Sequence, residues 1–191
     1  MFKKNNFLQN FQFKFCEFIL TFCYLGNIKK APGTFGSIGG VIFWLILTKI
    51  FFLANFTIFF QNFLWFLIVI IFTLFAVKKI GFYVNYLHKK TAKINGIDNQ
   101  TIVLDEVVGQ IIALQIGLNF ITENYFLNFK ILIIHLVFSL TLFRLFDIKK
   151  PWIIGIVDRK MKNSFGVMFD DILAGIFAGC LMILLKFASQ I

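Results

Sequence analysis

RLFDIKKPWIIGIVDRKMKNSFGVMFDDILAG, residues 144–175, joins the end of one apolar stretch to the start of another and gathers polar residues between them. It holds both arginines of the chain; everywhere else the basic residue is Lys. Arg kept only here fits a need for the planar guanidinium fork, which grips phosphate or carboxylate in a way the ammonium point charge of Lys does not. Asp147, Asp158, Asp170 and Asp171 lie among these cations. Carboxylates interleaved with cations beside a membrane-like segment point to a divalent metal ion and a phosphate.

Outward from this stretch the chain is strongly apolar. Hydrophobic residues make up 59% of its 191 positions, and 29 are Phe. Soluble domains hold roughly 45–50% apolar residues, so the class expected is an all-α integral membrane helical bundle. An AT-rich genome accounts for abundant Phe and Lys, but not for where the few Arg and Pro residues sit. Five apolar stretches can be drawn, at 37–54, 63–77, 107–120, 131–146 and 171–187. Several fall short of the ~20 residues that comfortably span a bilayer. Ahead of them, Gly26 to Gly40 reads as a Gly-rich turn or loop, with Ser37 as N-cap of the following helix. Residues 1–25 read as an N-terminal extension. Leu8, Phe11, Phe15, Phe18 and Phe22 recur there at helical spacing, as in an interfacial amphipathic helix or an ordinary packing helix. Lys14 and Glu17 interrupt the run, which is unlike a signal peptide.

Charge orients the bundle. The net charge is +10, and the segments 26–36, 78–106 and 147–170 carry most of the cations between apolar stretches. The connection 55–62 has none, and 121–130 has only Lys130. Five spans put all three basic segments on one face, and the positive-inside rule makes that face cytoplasmic. No nucleic-acid-binding motif accompanies the lysines. Cys16, Cys23 and Cys180 give neither a disulfide framework nor zinc spacing.

The same face holds the acidic residues. Asp105 and Glu106 precede the third stretch, Asp147 ends the fourth, Asp158 lies in the connection, and Asp170 and Asp171 begin the last. Carboxylates beside hydrocarbon are costly. The helix dipole favours acids at an N-terminus, which would explain one pair but not two pairs with Asp147 and Asp158 on one face. DEVVGQI at 105–111 is also echoed by DDILAGI at 170–176. Hard oxygen ligands suit magnesium, which takes one or two carboxylates plus phosphate and water. Arg144 and Asp147 share a helix face. Asp158 and Arg159 are adjacent, so in a helix their side chains diverge. Lys149 and Lys150 precede Pro151, which favours an extended or turn conformation before it. Arg144, Lys150 and Arg159 form the expected cationic pocket for a phosphomonoester. Backbone N–H groups of the turn at 31–36, through Gly33, Thr34 and Gly36, can cradle an anion. No Lys follows Gly36, so it is not a P-loop. His88 and His135 receive no role. An ion-transport pathway is the rival from another class, but it calls for acids near mid-span.

Three blocks, KAPGTFGS at 30–37, LDEVVGQ at 104–110 and residues 143–175, resemble the phosphatidylglycerophosphatase A family in order and spacing. The resemblance implies one catalytic domain over residues 26–191, in a multi-pass protein of the bacterial inner membrane with its active site facing the cytoplasm. It implies magnesium-dependent hydrolysis of phosphatidylglycerophosphate, held in the bilayer, to phosphatidylglycerol and inorganic phosphate. By position, Asp105, Glu106, Asp147, Asp158, Asp170 and Asp171 are the catalytic candidates, with metal expected on Asp105, Glu106, Asp170 and Asp171. Arg144, Lys150 and Arg159, with Gly33, Thr34 and Gly36, are the phosphate-binding candidates. The reading leaves open whether water or an Asp carboxylate attacks phosphorus, and keeps another lipid phosphate as the alternative substrate. Two departures stand out: LysMetLysAsnSer at 160–164 replaces a small-residue run, and Gln110 replaces an apolar residue.

Overall fold

Helix α2 begins earlier than the Gly-rich sequence indicates. Pro32 occupies its first turn, where a missing N–H costs nothing because those groups have no intrahelical partner. Ala31 adopts the left-handed conformation and caps the turn through its carbonyl, which accepts from Thr34 N at 3.0 Å and Phe35 N at 3.3 Å. The expected loop at 26–40 is therefore helical from Pro32 onward. Ser37 is not an N-cap; it lies inside the helix, and its Oγ donates to Gly33 O at 2.9 Å.

The computed structural model describes residues 2–91, 99–118 and 128–188. They form seven α-helices and no strand: α1 Phe2–Leu20, α2 Pro32–Leu53, α3 Ile58–Thr91, α4 Leu104–Leu118, α5 Phe129–Lys149, α6 Trp152–Lys160 and α7 Ser164–Ala188. Lys93 of the second basic segment and residues 119–120 of the third apolar stretch lie outside the described residues.

Four helices are long and apolar enough to cross a membrane, over Pro32–Leu53, Ile58–His88, Phe129–Lys149 and Ser164–Lys186. Their outward residues, among them Ile46, Phe66, Ile134 and Leu184, are exposed as a lipid-facing surface requires. The third expected span is different. Helix α4 has 15 residues, about 22 Å at 1.5 Å per residue, and packs against α7, α2, α5 and α3. It is buried nearly all round, including Asp105 and Gln110. Its described part packs against protein rather than lipid, and among the described residues four of the five expected stretches have the length and apolarity to cross a membrane. The closest approach is to α7. A Cβ on Gly109 would stand 2.5 Å from the carbonyl oxygen of Asp171, and one on Gly175 would strike the carbonyl of Gly109.

The starts of α2 and α4, the end of α5, α6 and the first two turns of α7 meet at one end of the bundle through the contacts described below. Helix α1 packs on α3 through Phe13, Cys16 and Leu20, with Phe13 stacked on Tyr83 and Tyr86. Of the stripe noted in the sequence, Phe11, Phe15 and Phe18 are exposed, whereas Phe22 packs against Phe43.

Candidate active site

The site is assembled from four short pieces of chain. The first turn of α4 supplies Asp105 and Glu106. The last two turns of α5 supply Arg144 and Asp147, joined Nη1 to Oδ2 at 2.6 Å. The turn after α5 supplies Lys150, and α6 supplies Asp158. Helix α7 supplies Asp170 and Asp171, which lie in its second turn because the helix starts at Ser164. The dipole effect falls off within the first turn, so helix capping does not account for these two buried acids.

One oxygen from each of Asp105, Glu106 and Asp171 lies within 4.8 Å of the others. Glu106 Oε2 is buried without a hydrogen-bond partner. The adjacent wall is the backbone of α2: a Cβ on Gly33 would collide with Glu106 Oε1 and stand 3.1 Å from Arg144 Nη1. Burial, then the charge of Glu106, pushes Asp105 well above the ordinary carboxylate range. Burial pushes Glu106 up to about 8, against the lowering effect of Arg144. Three hard, crowded carboxylates with an orphaned oxygen fit a divalent cation, whose charge removes their mutual repulsion.

Asp170 has another partner. Lys150 Nζ donates to Asp170 Oδ2 at 2.6 Å and to Asp158 Oδ1 at 2.8 Å. It reaches both because Lys150 is left-handed, φ 44°, and turns the chain back over α7 at the end of α5. Pro151 is extended and Trp152 is again left-handed, φ 48°. Such conformations cost a bulky residue about 1–2 kcal/mol each. Burial alone would lower the Lys150 ammonium; its bonds to Asp158 and Asp170 outweigh that and hold it above its usual value. The bond from Lys150 in turn holds Asp158 below the carboxylate range.

These groups line a cavity of about 450 Å³: Asp105, Glu106, Asp147, Lys150, Asp158, Asp170 and Asp171, closed by Met161, Lys162, Gly166 and Val167. All six expected catalytic acids are brought together. The expected phosphate ligands divide. Lys150 lines the cavity, Arg144 lies behind Glu106 with Nη1 engaged by Asp147, and Arg159 is exposed and outside the lining. Gly33 abuts Glu106, whereas Gly36 packs against Val103, and Thr34 does not line the cavity. The sequence reading overlooked Lys162, although its run had been singled out as a departure.

The family model of phosphatidylglycerophosphatase A matches residues 18–186, a range containing every residue of this cavity. The chain belongs to that family. Phosphatidylglycerophosphatase A of Haemophilus influenzae is 34% identical over 165 residues, covering 86% of this chain and 82% of the relative. Phosphatidylglycerophosphatase A of Escherichia coli is 30% identical over 148 residues, covering 77% and 69%. A Bacteroides thetaiotaomicron protein whose name proposes a phosphatidylinositol-3-phosphatase is 32% identical over 156 residues, covering 78% and 79%. No solved structure matches. Family membership makes the chain a phosphatase, and its apolar helices make it a multi-pass membrane protein.

Proposed function

We propose that this enzyme removes the terminal phosphate of phosphatidylglycerophosphate, yielding phosphatidylglycerol and inorganic phosphate, with magnesium held by Asp105, Glu106 and Asp171. The observation that carries the reading is the convergence of those three carboxylates in a cavity that also presents a paired lysine, in a member of this family. Bound there, magnesium would supply charge neutralisation of phosphoryl oxygens and lower the pKa of a coordinated water. Lys150, kept charged by Asp158 and Asp170, is placed to meet the phosphoryl oxygens as charge redistributes in the transition state. Arg144 holds Asp147 and lends positive charge beside Glu106.

Residues 26–191 form the catalytic unit in this reading, and residues 1–25 add an outer helix. The described cations around α6 share the end of the bundle that carries the site, which with the charge pattern of the sequence favours a cytoplasmic-facing site in the bacterial inner membrane. The diacylglycerol tails stay in the leaflet while the headgroup enters from the interface. An ion pathway fits less well, because the acids gather at one end in a single cavity.

The Bacteroides relative makes another lipid phosphate the second reading. The test is phosphate release by purified protein from phosphatidylglycerophosphate, phosphatidic acid and phosphatidylinositol 3-phosphate, with magnesium or with chelator. Preferential turnover of the first, lost on chelation and restored by magnesium, is expected. Preferential turnover of either competitor would replace the substrate, and undiminished activity in chelator would remove the metal.

A further inference from the structure

Among the described residues, the cations of the site differ in how much of their charge is already used. Arg144 is bonded to Asp147, and Lys150 to Asp158 and Asp170. Lys162 also lines the cavity, yet it is exposed and makes no ion pair. Its charge is felt at the site, since it helps hold Asp158 in the carboxylate form.

The backbone presents Lys162 in a defined way. Helix α6 ends as Met161 N donates to Val157 O at 2.8 Å. Helix α7 starts as Asn163 Oδ1 accepts from Gly166 N at 2.8 Å and Asn163 O accepts from Val167 N at 3.2 Å. Any side chain at Gly166 would collide with the carbonyl of Met161. Both ends of the three-residue link are therefore pinned, and Lys162 lies between them at the cavity mouth. A lysine on a pinned backbone loses less freedom on binding than one on a loose loop.

The substrate of the proposed reaction carries two phosphates. The terminal monoester reacts, and a phosphodiester joins its glycerol to the diacylglycerol. The reacting group belongs beside the three converged carboxylates and Lys150. We infer that Lys162 binds the non-reacting phosphodiester and so determines specificity for a two-phosphate headgroup over a one-phosphate lipid. This assignment rests on the substrate reading above. No bond forms or breaks at Lys162; it contributes a charge-assisted hydrogen bond to an anion unchanged by the reaction. Such a contact holds ground state and transition state alike, so its loss shows in KM rather than kcat.

The experiment compares wild type, Lys162→Ala, Lys162→Arg and Lys160→Ala on phosphatidylglycerophosphate and on phosphatidic acid, in mixed micelles with magnesium. Lys160 is an exposed neighbour outside the cavity lining and serves as a control for surface charge. Lys162→Ala should raise KM for phosphatidylglycerophosphate about tenfold, with kcat little changed. Kinetics on phosphatidic acid should stay within about twofold, Lys162→Arg should restore KM, and Lys160→Ala should not move it. An unchanged KM in Lys162→Ala overturns the assignment, as does an equal rise for both lipids or for Lys160→Ala. A wild type that turns over phosphatidic acid but not phosphatidylglycerophosphate overturns the substrate reading itself, and this assignment with it.

Discussion

Asp105–Glu106 and Asp170–Asp171 look alike in sequence and differ in the folded protein. Each pair precedes an apolar run with a small residue about one turn later. The first pair lies in the opening turn of α4, where unpaired N–H groups and the helix dipole favour acids. The second lies a turn deeper in α7, beyond that help, and is buried. The first pair acts as a unit, with both residues in the three-carboxylate cluster. The second is split: Asp171 joins the cluster, and Asp170 pairs with Lys150. Successive helical side chains diverge by about 100° in both pairs; what splits the second is its partners, Lys150 for Asp170 and the α4 acids for Asp171.

The largest effect expected from this split is at Asp171. Asp171→Asn keeps the shape and removes one charge from the cluster, so phosphate release should fall about 10³-fold or more, with no rescue by added magnesium. Retention of a tenth of wild-type activity would show that the second pair does not share the first pair's role. Insertion, followed by fractionation and helical circular dichroism, should be unchanged.

Asp170→Asn should cost less, about 10- to 50-fold in kcat, because it loosens Lys150 without removing a cluster ligand. Magnesium dependence measured by titration should stay near wild type. Lys150→Ala and Asp170→Asn should also be less than additive when combined, because each breaks the same bond. Strict additivity, or a shifted magnesium requirement in Asp170→Asn, would place Asp170 back among the metal ligands, as the sequence pattern expects.

The acids were legible because carboxylates at apolar boundaries are costly, and Arg144 because Arg is rare in this chain; the same rarity pointed to Arg159, which lies outside the cavity lining. The helical bundle was legible from composition. Four things were not, each for a physical reason. Hydropathy reports removal from water, whether by lipid or by protein, so it did not reveal that α4 is wrapped by four other helices. The start of α2 carried a usable signal in Pro32, but the glycines around it argued for a loop; in the structure they allow close approach to α4 instead. The separation of Asp170 from Asp171 depends on the left-handed turn at Lys150, and neither Lys nor the Pro that follows announces that conformation. Lys162 was hidden for a similar reason: nothing local marks a loop lysine as cavity-lining until α6 and α7 are folded against each other.

The smallest expected effect tests whether the two pairs are held in register by the helices beneath them. Gly109 and Gly175 let the backbones of α4 and α7 meet one turn below the carboxylates. In Gly175→Ala the new methyl strikes the carbonyl of Gly109, and backbone on both sides leaves no flexible side chain to yield. The helices must separate locally, at a cost of about 1–3 kcal/mol, read as a lower midpoint in denaturant. Separation also moves Asp171 away from Asp105 and Glu106, because they ride on these two helices. Magnesium affinity should therefore weaken severalfold, while the Lys150–Asp170 pair, bridging α7 to the end of α5, is left in place. Loss of stability with unchanged magnesium affinity would mean that the cluster is held by the loops and α2 wall around it, not by the α4–α7 contact. A parallel fall in both would tie the geometry of the three carboxylates to a pair of glycines about one helical turn away.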